Sequence, residues 1–142
     1  MTQPRIAVLD YQAGNVRSAQ RGLERAGADA FITADADAAA AADALVVPGV
    51  GHFGTCLAEL KSRGLEDIVR DWIREQRPAL GICVGLQLLY EHSAEGDVAG
   101  LGALPGKVVR FPADATVPHM GWDVVEAAEG HEDDPALAGV AG

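Results

Sequence analysis

Residues 78–89 read Pro-Ala-Leu-Gly-Ile-Cys-Val-Gly-Leu-Gln-Leu-Leu, an apolar run that passes through a Gly-x-Cys-x-Gly pentapeptide into a helix-like segment. This spacing predicts a sharp turn from strand to helix with the Cys83 thiol at the bend, where Gly81 and Gly85 let the strand and the helix pass closely. Because backbone N–H groups at a helix start favour a thiolate, the pattern predicts a nucleophile. The alternative is a buried cysteine that packs as a small hydrophobic residue.

Upstream of this stretch, short apolar runs alternate with amphipathic segments. Strands are predicted at 6–10, 29–32, 44–47 and 79–82, and helices at 16–26, 53–61 and 65–73, with an alanine-rich helix after the second strand. Strands that alternate with helices of about 10 to 15 residues imply right-handed crossovers and a parallel sheet. The predicted fold class is therefore α/β, with an open, mostly parallel sheet and helices on both faces.

The pattern changes after Glu91, where glycine and proline become more frequent. Short runs at 107–111 and 122–125 are predicted to be strands of a later, partly antiparallel addition. The acidic tail at 127–142 shows no periodicity. With no linker and no internal repeat, residues 1–142 are expected to form a single domain.

The composition excludes several classes of partner. The formal charge of −10 provides no basic patch for nucleic acid or for an anionic membrane surface. Only two cysteines occur, without paired spacing, and no basic-then-apolar leader is present, which indicates a reducing compartment and a cytoplasmic protein. No spacing of His and Cys resembles a set of metal ligands, so neither a metal nor a cofactor is predicted.

A second glycine-containing segment follows the third predicted strand, with Gly49, Val50 and Gly51 after a proline. In open parallel sheets ligands collect beyond the carboxyl ends of the strands, where both this loop and Cys83 are expected. Its backbone N–H groups, with the amide of Val84, are candidates for a cradle that binds an oxyanion. The alternative for the loop is a plain tight turn.

These motifs together resemble a known family. Residues 81–89 are similar to the nucleophile elbow of class I (triad-type) glutamine amidotransferases, which have a flavodoxin-like fold. Three further segments resemble the glutaminase subunit of imidazole glycerol phosphate synthase: Asp10-Tyr-Gln-Ala-Gly-Asn-Val-Arg-Ser18, Val47-Pro-Gly-Val-Gly-His-Phe-Gly54 and Val117-Pro-His-Met-Gly-Trp122. The resemblance extends to about Glu126.

The resemblance implies hydrolysis of L-glutamine to glutamate and ammonia, and transfer of the ammonia to a partner cyclase barrel in histidine biosynthesis. Cys83 would attack the carboxamide, and the amides of Val84 and of residues 49–51 would hold the oxyanion, after a peptide flip driven by the partner. Gln87 and Glu95 match the glutamine-binding positions, with Glu95 facing the α-amino group. Without the family, Gln87 is a neutral helix position and Glu95 a solvated loop residue.

The resemblance also assigns a face to the cyclase partner. Without it, the first loop supplies a turn, a helix cap and an exposed charge, and Trp122 is either a core anchor or an interface residue. The residues assigned to this face are Gly14, Asn15, Arg17, His119, Met120 and Trp122.

The chain departs from the family in one respect. The catalytic histidine and glutamate of the family lie in a Gln-Phe-His-Pro-Glu type of segment, and residues 1–142 contain none. The chain is therefore expected to lack the C-terminal part of the domain, to be nearly inactive alone and to expose apolar surface. The alternatives are a glutaminase subunit of another class I amidotransferase and an inactive relative that acts as a binding module.

Overall fold

The computed structural model describes residues 2–140. The chain falls into two compact units, one that ends at Arg110 and one that begins at Phe111. The first unit contains the strands and α-helices, and the regular structure described in the second is a short 3-10 helix, Pro135–Leu137. A single domain over residues 1–142 stays a prediction.

Within the first unit, the structure describes seven strands and five helices over residues 2–110. The strands are β1 (Arg5–Leu9), β2 (Asp29–Thr33), β3 (Ala44–Gly49), β4 (Ala79–Cys83), β5 (His92–Ser93), β6 (Val98–Ala99) and β7 (Lys107–Val108). The helices are α1 (Val16–Arg25), α2 (Ala36–Ala40), α3 (Phe53–Ser62), α4 (Glu66–Arg74) and α5 (Val84–Gln87). The elements predicted up to residue 83 agree with these bounds within about two residues, the usual uncertainty of helix and strand ends.

The main sheet has the order β2-β1-β3-β4, and its neighbouring strands are parallel. From β1 the chain moves outward to β2 and then returns across β1 to β3. Because βαβ crossovers are right-handed, this reversal puts α1 on one face and the later helices on the other. The predicted α/β class, with an open parallel sheet and helices, is confirmed.

The core lies mainly on the face that α2, α3 and α4 cover. Leu9 of β1 and Val47 of β3 pack there with Phe53 and Trp72, all of them buried. On the opposite face Val8 and its neighbours are also buried. Burial on both faces explains why these strands read as continuous apolar runs rather than as alternating ones.

Local signals set the helix ends. The Asn15 side chain accepts a hydrogen bond of 3.1 Å from the Ser18 amide and caps α1, and Asp35 caps α2 through the Asp37 amide at 2.8 Å. Gly27, with φ of +96°, follows the end of α1, because glycine adopts the left-handed conformation that stops a helix.

A cluster at the end of α4 fixes the start of β4. The Trp72 indole donates to the Pro78 carbonyl at 2.8 Å, and the Arg77 guanidinium lies 3.3 Å from the centroid of the Trp72 ring. Arg77 also donates to the Ala42 carbonyl at 2.7 Å. These contacts set the register of the strand that carries Cys83.

Strand β4 forms an edge of the sheet and is the least covered strand. Leu80 is 51% exposed and Ile82 is 38% exposed. Leu80 lies opposite Val46 in the register, on the face where α1 packs against β1 and β2. The structure thus shows the exposed apolar surface that was expected.

A small sheet with the order β6-β5-β7 follows α5, with one antiparallel and one parallel pair. The strand predicted at 107–111 ends at Val108. The prediction of a strand at 122–125 is wrong: these residues have no regular structure, and Trp122 is fully exposed. Isolated β-runs are unstable without a pairing strand and a buried face. Between residues 2 and 140, none of the helices has the length and apolar character needed to cross a bilayer.

Candidate active site

Cys83 lies at the sharp corner between β4 and α5. It is the last residue of the strand and the N-cap of the helix, with φ of 55° and ψ of −121°. Such a backbone conformation costs a residue with a side chain on the order of 1–3 kcal/mol. The thiol is exposed. The alternative of a cysteine packed in the core is therefore wrong, and the side chain is accessible to a substrate.

Two glycines make the corner possible because β3, β4 and α5 converge there. A Cβ on Gly81 would lie 2.5 Å from the Cα of Leu86. A Cβ on Gly85 would overlap the Val47 carbonyl oxygen. In both cases the obstacle is backbone, which cannot move aside as a flexible side chain does.

The loop after β3 lies directly beside the corner. Gly49 pairs with Cys83 in the register of β3 and β4, and a Cβ on Gly49 would lie 2.5 Å from the Gly85 nitrogen. Gly49 is buried, whereas Val50 and Gly51 are exposed. The structure therefore brings the candidate oxyanion segment, residues 49–51, next to Cys83 and Val84.

Two buried side chains hold this loop by its carbonyl groups. The Tyr11 hydroxyl donates to the Pro48 carbonyl oxygen, and the Cys56 thiol donates to the Val50 carbonyl oxygen at 3.1 Å. Burial, followed by the charge of Cys56, holds the pKa of Tyr11 well above its usual range.

Burial is also the main reason that the pKa of Cys56 is raised, although its hydrogen bond to Val50 lowers it. The charges of Cys83 and Glu95 raise the pKa of Cys56 further, which indicates that the three groups share one neighbourhood. Cys56 lies in α3 and is buried, and the sequence did not reveal its hydrogen bond to the loop. The role of Tyr11 was missed as well. A tyrosine just after a buried strand is a signal for such a contact, because a buried phenol hydroxyl needs a hydrogen-bond acceptor.

The Glu95 side chain reaches the N-terminus of α3 from the loop after β5. Its Oε2 accepts a hydrogen bond of 2.7 Å from the Phe53 amide, and its own amide donates to Ser93 Oγ at 3.1 Å. A carboxylate at a helix N-terminus is favoured by the unpaired N–H groups there. This places Glu95 just beyond the candidate oxyanion segment. Gln87 is the last residue of α5 and is half-buried.

The first loop packs against the same region. A Cβ on Gly14 would lie 2.8 Å from the Pro48 Cβ and 3.0 Å from the Gly49 nitrogen. Asn15 caps α1, and Arg17 is exposed with a guanidinium contact of 3.4 Å to Gln20. The loop assigned to the partner therefore contacts the candidate oxyanion segment.

The remaining predicted residues lie in the second unit. Met120 is 84% exposed and Trp122 is fully exposed, so the alternative of Trp122 as a core anchor is wrong. The His119 ring lies 6.4 Å from that of Phe111, measured between centroids. Whether these side chains contact a partner stays a prediction.

The histidine rings of the first unit make contacts other than with Cys83. His52 Nδ1 accepts from the Gly54 amide at 3.1 Å, and His92 Nε2 lies 2.9 Å from Asp97 Oδ1. In the part of the chain that the structure describes, no hydrogen bond joins a histidine to Cys83. Over the same residues, no group of three or more His, Cys, Asp or Glu side chains is placed to hold a metal ion.

Comparison with known proteins identifies relatives over most of the chain. Residues 5–132 match the model of the CobB/CobQ-like glutamine amidotransferase domain. The chain is 51% identical over 129 residues to the imidazole glycerol phosphate synthase subunit HisH of Mycolicibacterium paratuberculosis, which covers 89% of this chain and 62% of that protein. It is 48% identical over 131 residues to the HisH subunit of Rhodopirellula baltica, a match that covers 90% of this chain and 64% of that protein. The chain therefore spans less than two thirds of the length of these relatives.

A solved structure supports the fold. A crystal structure described as a glutamine amidotransferase superimposes with a TM-score of 0.65 and 27% sequence identity. The match covers 79% of this chain and 59% of that one.

Substitution of glycine by alanine should have opposite effects on stability at the crowded corner and on the open surface of α1. Gly85→Ala should lower the free energy of unfolding by about 1–3 kcal/mol, since its Cβ meets the backbone of β3. Gly22→Ala, on α1 with open space around it, should raise that free energy by roughly 0.5–1 kcal/mol. Urea unfolding measures both. Equal stability of Gly85→Ala and the parent chain would contradict the packing described here.

Proposed function

This chain belongs to the family of CobB/CobQ-like glutamine amidotransferase domains, and we propose that it forms the glutaminase part of an imidazole glycerol phosphate synthase. Membership of the family supports glutamine hydrolysis as the class of reaction. The sequence identity of 51% and 48% to two HisH subunits supports imidazole glycerol phosphate synthase as the enzyme. The observation that carries the proposal is the exposed Cys83 thiol on its strained corner beside residues 49–51.

The reaction consumes L-glutamine and water and produces L-glutamate and ammonia. The Cys83 thiolate attacks the carboxamide carbon, and the carbonyl oxygen becomes an oxyanion. The amide of Val84 and the amides of Gly49, Val50 and Gly51 are its proposed donors, since preorganised N–H groups stabilise developing negative charge. The carboxamide nitrogen takes up the proton that the Cys83 thiol released and leaves as ammonia. Water then hydrolyses the thioester, which releases glutamate and frees the Cys83 sulfur.

The substrate is proposed to bind between the corner and the start of α3. Glu95 offers a carboxylate for the α-amino group of glutamine, and its hydrogen bond to Phe53 holds it beside the candidate oxyanion segment. Gln87, four residues after Cys83 on α5, is proposed to contact the carboxamide region. No cofactor takes part in this scheme.

The proposed partner is the cyclase barrel subunit, which receives the ammonia in a heterodimer that serves histidine biosynthesis. By the resemblance, the residues proposed to contact it are Gly14, Asn15 and Arg17 in the first loop and, in the second unit, His119 with the exposed Met120 and Trp122. A nucleophilic thiol works only in its reduced form, so we propose a cytoplasmic location.

The glutamine pocket predicts selective alkylation of Cys83. We expect the chloromethyl ketone analogue of L-glutamine to label Cys83 at least about tenfold faster than its D enantiomer, because only the L form places its α-amino group at Glu95. Cys56, which is buried, should stay unlabelled. Peptide mapping by mass spectrometry measures both sites. Equal rates for the two enantiomers would refute the proposed function.

Residues 1–142 alone should hydrolyse glutamine slowly. No histidine in the described residues is hydrogen-bonded to Cys83, and loss of a positioned base costs roughly 10²–10⁴-fold in rate. Release of glutamate from glutamine measures this, with Cys83→Ala as the background control. A turnover of about 10 s⁻¹, typical of complete enzymes, would show that the base lies within this chain.

Trp122 should contribute strongly to cyclase binding. Its exposed indole is the kind of side chain that dominates interfaces, so Trp122→Ala should weaken the affinity for the cyclase subunit by at least about tenfold. The matched control is Val140→Ala, because Val140 is an exposed apolar residue outside the segment 117–122. Titration calorimetry with the purified cyclase measures both affinities. Equal affinities for Trp122→Ala and the parent chain would count against the assigned face.

A further inference from the structure

Tyr11 and Cys56 are buried donors for which the proposed reaction has no use. They come from different elements, since Tyr11 follows β1 and Cys56 lies in the first turn of α3. Yet they converge on one short segment: Tyr11 donates to the Pro48 carbonyl and Cys56 donates to the Val50 carbonyl.

The positions of these two carbonyls have a geometric consequence. A peptide unit is planar and trans, so its C=O and the N–H of the next residue point in opposite directions. Fixing the Pro48 carbonyl therefore fixes the direction of the Gly49 N–H. Fixing the Val50 carbonyl likewise fixes the direction of the Gly51 N–H. The Gly49–Val50 peptide lies between the two fixed units.

Both donors keep their protons under ordinary conditions. Tyr11 is fully buried and Cys56 is 2% exposed, and burial raises the pKa of each. Because their pKa values are raised, the Tyr11 hydroxyl and the Cys56 thiol stay protonated, and so can donate, at neutral and mildly alkaline pH. Gly49 also lies close to the tyrosine, since its Cβ would lie 3.0 Å from the Tyr11 hydroxyl oxygen.

We propose that Tyr11 and Cys56 are positioning residues that clamp the candidate oxyanion segment by the carbonyls on either side of Gly49. The clamp aims the amides of Gly49 and Gly51 and confines any reorientation of the loop to the Gly49–Val50 peptide. This inference rests on the proposed function, because that function assigns the segment its oxyanion.

The experiment compares two alkylations of Cys83 in the same chain. With the chloromethyl ketone of L-glutamine, the thiolate adds to the carbonyl carbon to form a tetrahedral oxyanion. Sulfur then bonds to the methylene carbon and displaces chloride, while its bond to the carbonyl carbon breaks and the ketone re-forms. With iodoacetamide, the thiolate displaces iodide directly and no oxyanion forms. The ratio of the two rates therefore reports oxyanion stabilisation separately from the reactivity of the thiol.

Four variants test the clamp. Tyr11→Phe and Cys56→Ala should each lower the chloroketone rate by about tenfold, part of the 10²–10³-fold that a lost oxyanion donor costs. Their iodoacetamide rates should stay within about twofold of the parent, because that rate depends on thiolate fraction and access. Cys56→Ser keeps a donor and should recover to within about threefold of the parent ratio. Gln20→Met, which removes a part-buried donor from the Ala30 carbonyl of β2 at the opposite edge of the sheet, should leave the ratio unchanged.

Two results would overturn the clamp. One is an unchanged ratio in both Tyr11→Phe and Cys56→Ala; the other is an equal fall of both rates, which means that the side chains only support packing. Failure of the proposed function looks different, since the unsubstituted chain would then react equally with the L and D chloroketones. That outcome would remove the clamp together with the function on which it rests.

Discussion

The structure depends on three backbone segments that approach each other where no side chain fits between them. The end of β3, the end of β4 and the start of α5 meet at Gly49, Gly81 and Gly85, and a methyl group at any of these would strike backbone atoms. Interiors of proteins are close-packed, so such an approach tolerates no added volume. It brings the corner at Cys83 and the loop after β3 into contact, and the chemistry proposed here depends on that contact.

The strain at Cys83 persists because its surroundings hold it. Pairing of β4 with β3 fixes the strand up to Cys83, and Trp72 and Arg77 fix the beginning of the same strand. A strained residue survives only where neighbouring contacts over-determine its conformation. The opposing loop is held in a similar way, by hydrogen bonds from buried donors instead of by sheet pairing alone. Rigid support on both sides is what a preorganised site requires.

Much of this arrangement could be predicted from the sequence, because its signals are local. Apolar runs, helix caps such as Asn15 and the glycines around Cys83 report on their own neighbourhoods. The hydrogen bond of Tyr11 reaches Pro48, 37 positions away, and only the folded chain brings these residues together. The hydrogen bond of Cys56 reaches Val50, only six positions back, but it depends on how the loop enters α3. The wrong prediction of a strand at 122–125 arose because a local signal was present without the long-range pairing that a strand needs. Its apolar residues resemble a strand, but in the structure they are mostly exposed and unpaired.

The open edge at β4 affects how the polypeptide behaves in solution. Among the residues that the structure describes, no strand pairs with the outer side of β4, which also carries the partly exposed Leu80 and Ile82. Such an edge is a template onto which the backbone of another molecule adds a strand, the contact from which fibrillar aggregates grow. The net charge of −10 opposes this growth through mutual repulsion, and added salt screens that repulsion. Solubility of the 142-residue polypeptide should therefore fall as ionic strength rises.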